Sequence, residues 1–134
     1  MEITIIGAGA IGGTIGAHMI RAGHDVTLCD LDQTHVDAIN KNGVRIEGPV
    51  ENFSVSAKAI TPDQLPSKIE HVAIAVKSHH SAAAAELLRG RITPSGYVVT
   101  FQNVHAEDIG YTGSKAFDPQ FLVEKQCSDI GTFE

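Results

Sequence analysis

Cysteine is scarce in this sequence, which has only Cys29 and Cys127 among its 134 residues. The two lie far apart and form neither a CxxC pair nor another spacing typical of metal ligands. Cys29 also falls inside an apolar segment with the pattern of a buried strand. These features predict a reduced thiol in a cytoplasmic protein, and they give no reason to expect a metal site.

Positive charge is sparse as well. Lysine and arginine number 10 against 16 acidic residues, and the formal net charge is −6. The basic residues are scattered along the chain, whereas proteins that bind nucleic acids or anionic membranes gather them in patches. We therefore expect neither a nucleic acid nor a membrane surface as a partner.

Long apolar runs are missing too. The amino-terminal stretch ITIIGAGAIGG meets its first glycine at Gly7 and has no basic region before it, so it predicts neither a signal peptide nor a membrane span. Hydrophobic residues make up 43% of the chain and charged residues 19%, which is typical of a globular protein. The length of 134 residues is that of a single domain.

Short apolar strands alternate with amphipathic helices along the first hundred residues. The predicted strands are residues 2–6, 25–29, 71–76 and 96–101, with two further extended pieces between residues 43 and 60. The predicted helices are residues 10–22, a second within DQTHVDAINKN, and a third in AAAAELLRG capped by Ser81, with a single helical turn between Pro62 and Pro66. This alternation predicts an α/β fold, a Rossmann-type doubly wound parallel sheet with helices on both faces.

A GxGxxG motif stands at the junction of the first predicted strand and helix. Gly7 permits a tight turn, Gly9 lets phosphates approach the backbone, and Gly12 lets the helix pack closely on the sheet. Free N–H groups at a helix N-terminus favour a pyrophosphate. The alternative is a glycine turn with a purely structural role. We predict that this loop binds a dinucleotide through Gly7, Ala8, Gly9, Ala10, Ile11 and Gly12.

An acidic residue, Asp30, ends the second predicted strand. A carboxylate at this position accepts hydrogen bonds from the adenosine ribose, whereas a 2′-phosphate would meet like charge there. The sequence therefore favours NAD over NADP as the cofactor. The alternative for Asp30 is a solvated acid at a strand end, and Asp32 is expected to cap the following helix.

We predict that residues 1–109 form a dinucleotide-binding domain and that residues 110–134 form an irregular tail. The tail contains one candidate strand, residues 121–123, and no long periodic segment. The sequence gives no indication of the oligomeric state.

The stretches ITIIGAGAIGG, AGHDVTLCD, NGVRI, VAIAVKSHHS and VVTFQN together resemble the ketopantoate reductase (2-dehydropantoate 2-reductase) family of pantothenate biosynthesis. The resemblance implies an oxidoreductase domain that takes part in hydride transfer from NAD(P)H to a 2-keto acid such as ketopantoate. It also implies that Lys77 contacts the cofactor or the substrate-facing end of the cleft. Asn103 would hold the nicotinamide side or the substrate. An exposed lysine and a turn asparagine are the alternatives for these two residues.

The sequence departs from the family pattern at three places. Leu31 follows Asp30 where the family often has a basic residue for a 2′-phosphate, although the resemblance still allows NADP. Val104 replaces a glycine after the QN pair. The family's helical second domain, which supplies the lysine general acid, is expected to be absent. The catalytic residues are therefore unknown, and we expect cofactor binding with poor turnover.

A second class of function also fits the glycine motif. NAD-binding regulatory domains of potassium channels and transporters have a similar length and share the GAGAIG and AGHDVTLCD patterns. They usually carry an acidic GDA-type turn where this chain has EGPVEN, which favours the reductase. His79, His80 and His105 have no supporting ligand or orienting group in the sequence, so they are predicted to be exposed surface histidines.

Overall fold

A computed structural model describes residues 1–101 and shows an α/β architecture. Short 3-10 turns lie at Pro62–Gln64 and Ser78–His80. The remaining elements, in chain order, are β1 (Glu2–Ile6), α1 (Ala10–Arg21), β2 (Asp25–Cys29), α2 (Gln33–Asn42), β3 (Val44–Ile46), β4 (Phe53–Val55), β5 (Lys58–Ile60), β6 (Ile69–Ile74), α3 (Ser81–Leu88) and β7 (Ile92–Thr100).

Five of the strands form one parallel sheet in the order β5-β2-β1-β6-β7. The chain moves outward from β1 to β2 and β5 and then returns to place β6 on the other side of β1. Such a reversal of direction opens a crevice at the carboxyl ends of the two central strands, where open α/β sheets bind their ligands. The fold therefore places any ligand site beyond Ile6 and Ile74.

The hydrophobic core is divided by the sheet into two clusters, because successive strand residues point to opposite faces. Ile5 and Leu28 belong to the cluster covered by α1 and α2, whereas Ile6 and Cys29 belong to the cluster covered by α3. Each helix contributes its apolar positions, which include Met19 from α1, Val36 and Ile39 from α2, and Ala84, Ala85 and Leu88 from α3. Helices on both faces of a parallel sheet confirm the predicted doubly wound fold.

The two extended pieces predicted after α2 form an antiparallel hairpin of β3 and β4 outside the main sheet. The hairpin is held against the end of α1. The Arg21 guanidinium donates hydrogen bonds of 2.8 and 2.9 Å to the Glu51 carboxylate and lies 4.1 Å from the centre of the Phe53 ring. These contacts lie at the opposite end of α1 from the glycine motif.

One strand of the sheet was missed by the sequence analysis. β5 has only three residues, follows the hairpin directly, and pairs with β2 alone. β3 and β4 are equally short but alternate between apolar and polar residues, whereas Ala59 and Ile60 of β5 are adjacent and both buried. Without that alternation, the place of β5 in the sheet depends on packing across the fold. Its last residue, Ile60, accepts a hydrogen bond from the backbone N–H of Asp30 at 3.0 Å and so fixes the end of β2.

Several predicted boundaries of β6, β7 and α3 were wrong. β6 begins at Ile69 and ends at Ile74, two residues earlier at each end than predicted, because it pairs with β7 from Ile69 onward and leaves the sheet beside Gly7. β7 begins at Ile92, since this pairing extends it through Pro94 and Ser95, which have no strand pattern. Ser81 is the first residue of α3 and His80 occupies the N-cap, so Ser81 is not the cap.

The predicted strand at residues 121–123 and the predicted site residue Asn103 lie outside the described residues. No helix within residues 1–101 is long and apolar enough to cross a membrane.

Candidate functional site

A cleft of about 880 Å³ opens at the carboxyl edge of the sheet, above the crevice between β1 and β6. The glycine loop forms one wall, and the segment after β6 together with α3 forms another. Six of the residues predicted for the site line this cleft: Gly7, Gly9, Ala10, Ile11, Asp30 and Lys77.

The glycine loop packs against the central strands at two positions where a side chain would not fit. Gly7 has a φ of +100°, and a Cβ there would lie 2.9 Å from Val76 Cγ1 and 3.0 Å from the Ala75 carbonyl carbon. A Cβ on Gly12 would overlap the Gly7 carbonyl oxygen and lie 3.1 Å from Ala75 Cβ. Gly12 therefore shapes the loop by close packing and does not itself line the cleft.

Gly9 differs from both, because a Cβ built on it would have no atom within 4 Å. It is the N-cap of α1, and the first hydrogen bond of the helix runs from Gly13 N to Gly9 O at 2.8 Å. The N–H groups of Ala10, Ile11 and Gly12 therefore have no partner within the helix. Open space beside free N–H groups at a helix N-terminus is the arrangement that accommodates a phosphate.

The Asp30 carboxylate is fixed in the cleft by two backbone donors. Ala8 N–H donates to Oδ2 and Asp32 N–H donates to Oδ1, both at 3.0 Å. A carboxylate has about four acceptor sites, so two remain for a ligand. Asp32 caps α2 as predicted, since its own carboxylate accepts from Thr34 N–H at 2.9 Å.

The third part of the cleft follows β6. Lys77 is exposed, and no salt bridge to its ammonium group is present within residues 1–101. His79 and His80 form the turn before α3 with their ring centres 4.0 Å apart, and His80 N–H donates to the Lys77 carbonyl oxygen at 2.8 Å. α3 follows directly, and Ala83 and Ala84 in its first half line the cleft with small side chains.

Comparison with known proteins gives a single family. Residues 3–109 match the family described as ketopantoate reductase PanE/ApbA. The chain belongs to the ketopantoate reductase family. The 2-dehydropantoate 2-reductase of Pyrococcus abyssi is 37% identical over 105 residues, which are 77% of this chain and 33% of that protein. The corresponding enzyme of Mesorhizobium japonicum is 34% identical over 104 residues, again 77% of this chain and 32% of that protein.

Solved structures agree with this assignment. A PanE/ApbA family ketopantoate reductase from Ralstonia eutropha JMP134 is 32% identical with a TM-score of 0.67, and the match covers 77% of this chain and 34% of that one. A D-mandelate dehydrogenase solved with NADH and anilino(oxo)acetate is 21% identical with a TM-score of 0.71 over 81% of this chain and 36% of that one, which shows a shared fold. The chain spans about one third of the length of the curated ketopantoate reductases that it matches. These relatives lend no support to the alternative of a channel-type regulatory module.

Two of the described residues predicted for the cofactor site, Ala8 and Gly12, do not line the cleft. Ala8 is buried and acts through its backbone N–H on Asp30, and Gly12 acts through packing. Asn103 lies outside the described residues and stays a prediction.

Several cleft residues were missed by the sequence analysis. His79 and His80 are exposed, as predicted, but they also line the cleft. Leu31 and Phe101 line it with 74% and 38% of their surface exposed. Leu31 and Phe101 lie just after the ends of β2 and β7, and His79 and His80 lie in the turn between β6 and α3. These segments meet at the carboxyl edge of the sheet, so strand order was the signal that would have identified them. Within residues 1–101 no group of three or more His, Cys, Asp or Glu side chains is placed to hold a metal ion.

Cys29 has a buried thiol, lines the cleft and is followed directly by Asp30. Burial, with smaller contributions from the negative charges of Asp30 and Asp63, raises the pKa of the Cys29 thiol from 9.0 to about 11. The folded protein therefore keeps this proton between pH 9 and 11 while the unfolded chain loses it. The contribution of this group to the free energy of unfolding falls as the pH rises through that range.

We expect alkylation of Cys29 by iodoacetamide at pH 8 to be at least about 100-fold slower in the folded protein than in urea, because the thiolate is the reactive form. Peptide-level mass spectrometry measures Cys29 separately from Cys127. Equal rates in the two conditions would contradict a buried thiol with a raised pKa.

Proposed function

We propose that this chain is the nicotinamide-dinucleotide-binding part of a ketopantoate-type reductase, with residues 1–109 as the binding domain. The observation that carries the proposal is the open space at Gly9, beside the free N–H groups of α1. The pyrophosphate of the cofactor fits this space. A larger residue than glycine at this position would fill it.

The fixed carboxylate of Asp30 is an argument for NAD(H) as the cofactor. Its two unused acceptor sites match the two ribose hydroxyls of NAD, whereas the 2′-phosphate of NADP would approach a negative charge. Leu31 beside it brings no positive charge to balance that phosphate. We therefore propose that the chain binds NAD(H) in preference to NADP(H).

The opposite wall of the cleft carries the positive charge of Lys77, which favours an anionic ligand. The exposed Lys77 ammonium has no salt-bridge partner among residues 1–101, so it is available to the cofactor or to the carboxylate of a 2-keto acid. We propose the same end of the cleft for the Asn103 amide. The bound cofactor would supply the hydride, and the protein would supply position and electrostatics.

The first experiment is calorimetric titration of the 134-residue chain and its Gly9→Ala variant with NADH and NADPH. We expect the wild-type chain to bind NADH more tightly than NADPH. The alanine methyl would enter open space, so the free energy of unfolding should fall by no more than about 1 kcal/mol, the effect of losing a preferred N-cap residue, while NADH binding weakens at least tenfold.

The same samples are then assayed for NADH oxidation with ketopantoate. We expect little turnover, since the chain spans about one third of its curated relatives. If neither cofactor bound, the proposal would be wrong and the glycines would have only a packing role. Equal affinity of the wild-type and Gly9→Ala chains would place the pyrophosphate elsewhere.

A further inference from the structure

A closed circuit of hydrogen bonds joins the glycine loop to the end of β2 and the start of α2. Asp30 accepts hydrogen bonds from the backbone N–H groups of Ala8 and Asp32. Asp32 in turn accepts from the backbone N–H of His35 at 3.4 Å. The circuit closes where His35 Nε2 lies 2.8 Å from the Ala8 carbonyl oxygen.

The contact between His35 and Ala8 fixes the tautomer of the neutral imidazole. A carbonyl oxygen only accepts hydrogen bonds, so Nε2 must carry the hydrogen and donate it. The neutral ring is therefore the Nε2–H tautomer. This assignment follows from the geometry and is directly measurable.

The consequence for the loop is that one residue is held from both sides. The Ala8 N–H is bound by Asp30 and the Ala8 carbonyl by His35, and Ala8 directly precedes Gly9. Rigidity before binding lowers the entropy cost of ordering a loop around its ligand. The His35 side chain is exposed, and Val36 and Ile39 already anchor α2 to the core, so packing alone gives no reason for a histidine at this position.

We propose that His35 is a positioning residue for the cofactor site. Its Nε2–H holds the Ala8 carbonyl and keeps the glycine loop in the shape that receives the pyrophosphate. This inference rests on the proposed function, because it concerns the same cleft.

The test compares His35→Ala and His35→Gln with the wild-type 134-residue chain, using NADH and ADP-ribose as ligands. Loss of one such hydrogen bond should weaken binding about three- to tenfold. We expect His35→Ala to weaken the binding of both ligands equally. Both contain the pyrophosphate, and ADP-ribose lacks only the nicotinamide, which the loop does not contact in this proposal. The glutamine amide also donates to a carbonyl, so His35→Gln should recover most of the affinity.

A matched control is available at the opposite end of the sheet. His71 Nδ1 lies 2.9 Å from the Glu2 carbonyl oxygen, which is the same kind of contact away from the cleft. We expect His71→Ala to leave both affinities unchanged. Urea unfolding of each variant shows whether a change in affinity accompanies a change in stability.

The possible outcomes separate this inference from the proposed function. The inference alone would be overturned if the wild-type chain bound the ligands and His35→Ala bound them with the same affinity. It would also be overturned if His71→Ala weakened binding as much as His35→Ala does. Failure of the wild-type chain to bind either ligand would overturn both. Nitrogen-15 NMR of the imidazole tests the contact without any ligand, and a neutral Nδ1–H tautomer at His35 would also overturn the inference.

Discussion

Replacing Gly12 by alanine is expected to lower the free energy of unfolding by about 1–3 kcal/mol, the range of an overpacked core position. The added methyl group would overlap the Gly7 carbonyl oxygen and approach Ala75 Cβ, so the loop and α1 would have to separate. Alanine normally stabilises a helix by up to about 1 kcal/mol relative to glycine, but the overlap is with backbone and outweighs that gain. Urea unfolding measures the change.

The neighbouring Gly13 provides the control for this experiment. It lies in the same helix, and a Cβ there would meet only the Ala8 carbonyl oxygen at an ordinary 3.5 Å. Gly13→Ala should therefore leave the stability unchanged or raise it. If Gly12→Ala proved as stable as Gly13→Ala, the close approach of α1 to the glycine loop would be wrong.

Replacing Asp30 by alanine is expected to weaken NADH binding about 10- to 100-fold, because hydrogen bonds to a charged group contribute roughly 1.5–3 kcal/mol. We expect the wild-type chain to prefer NADH over NADPH by about tenfold to several hundredfold, the effect of like charges about 4 Å apart. Asp30→Ala should remove most of that preference. Calorimetry gives the dissociation constants of NADH and NADPH for each chain, and their ratio measures the preference.

Asp25 serves as the comparison, because it is an exposed acid at the other end of the same strand. Asp25→Ala changes the net charge by the same amount and should leave the ratio of the two affinities unaltered. A ratio that changes equally in both variants would show a general charge effect, and an unchanged ratio in Asp30→Ala would remove Asp30 from cofactor selection.

The parts of the fold that were predicted correctly are encoded in contiguous sequence. The bounds of β1 and β2 follow from short apolar runs that end in glycine or an acid, and the capping of α2 by Asp32 is local. The strand-glycine-helix junction likewise lies within a few residues. Local sequence is sufficient for these features because their signals, an apolar run with its terminating residue or a cap two residues from its donor, are contiguous, even though β1 and β2 pair with each other across the chain.

The parts that were missed depend on contacts between distant residues. β5 is defined by pairing with β2, and the early start of β6 is defined by pairing with β7. The placement of His79 and His80 on the cleft requires the strand order, which no local pattern specifies. The bond from His35 to Ala8 spans 27 residues, so nothing near either residue indicates it.

The start of α3 presents small side chains to the cleft. Ala83 and Ala84 line it with single methyl groups, and the buried Ala84 also packs in the core beneath the helix. Leu87 lines the cleft from the same helix, but Ala83 is exposed, so a larger side chain there would extend into the cleft without displacing the core. One exposed position therefore allows the aperture of the cleft to be altered by protein engineering without a change in backbone topology.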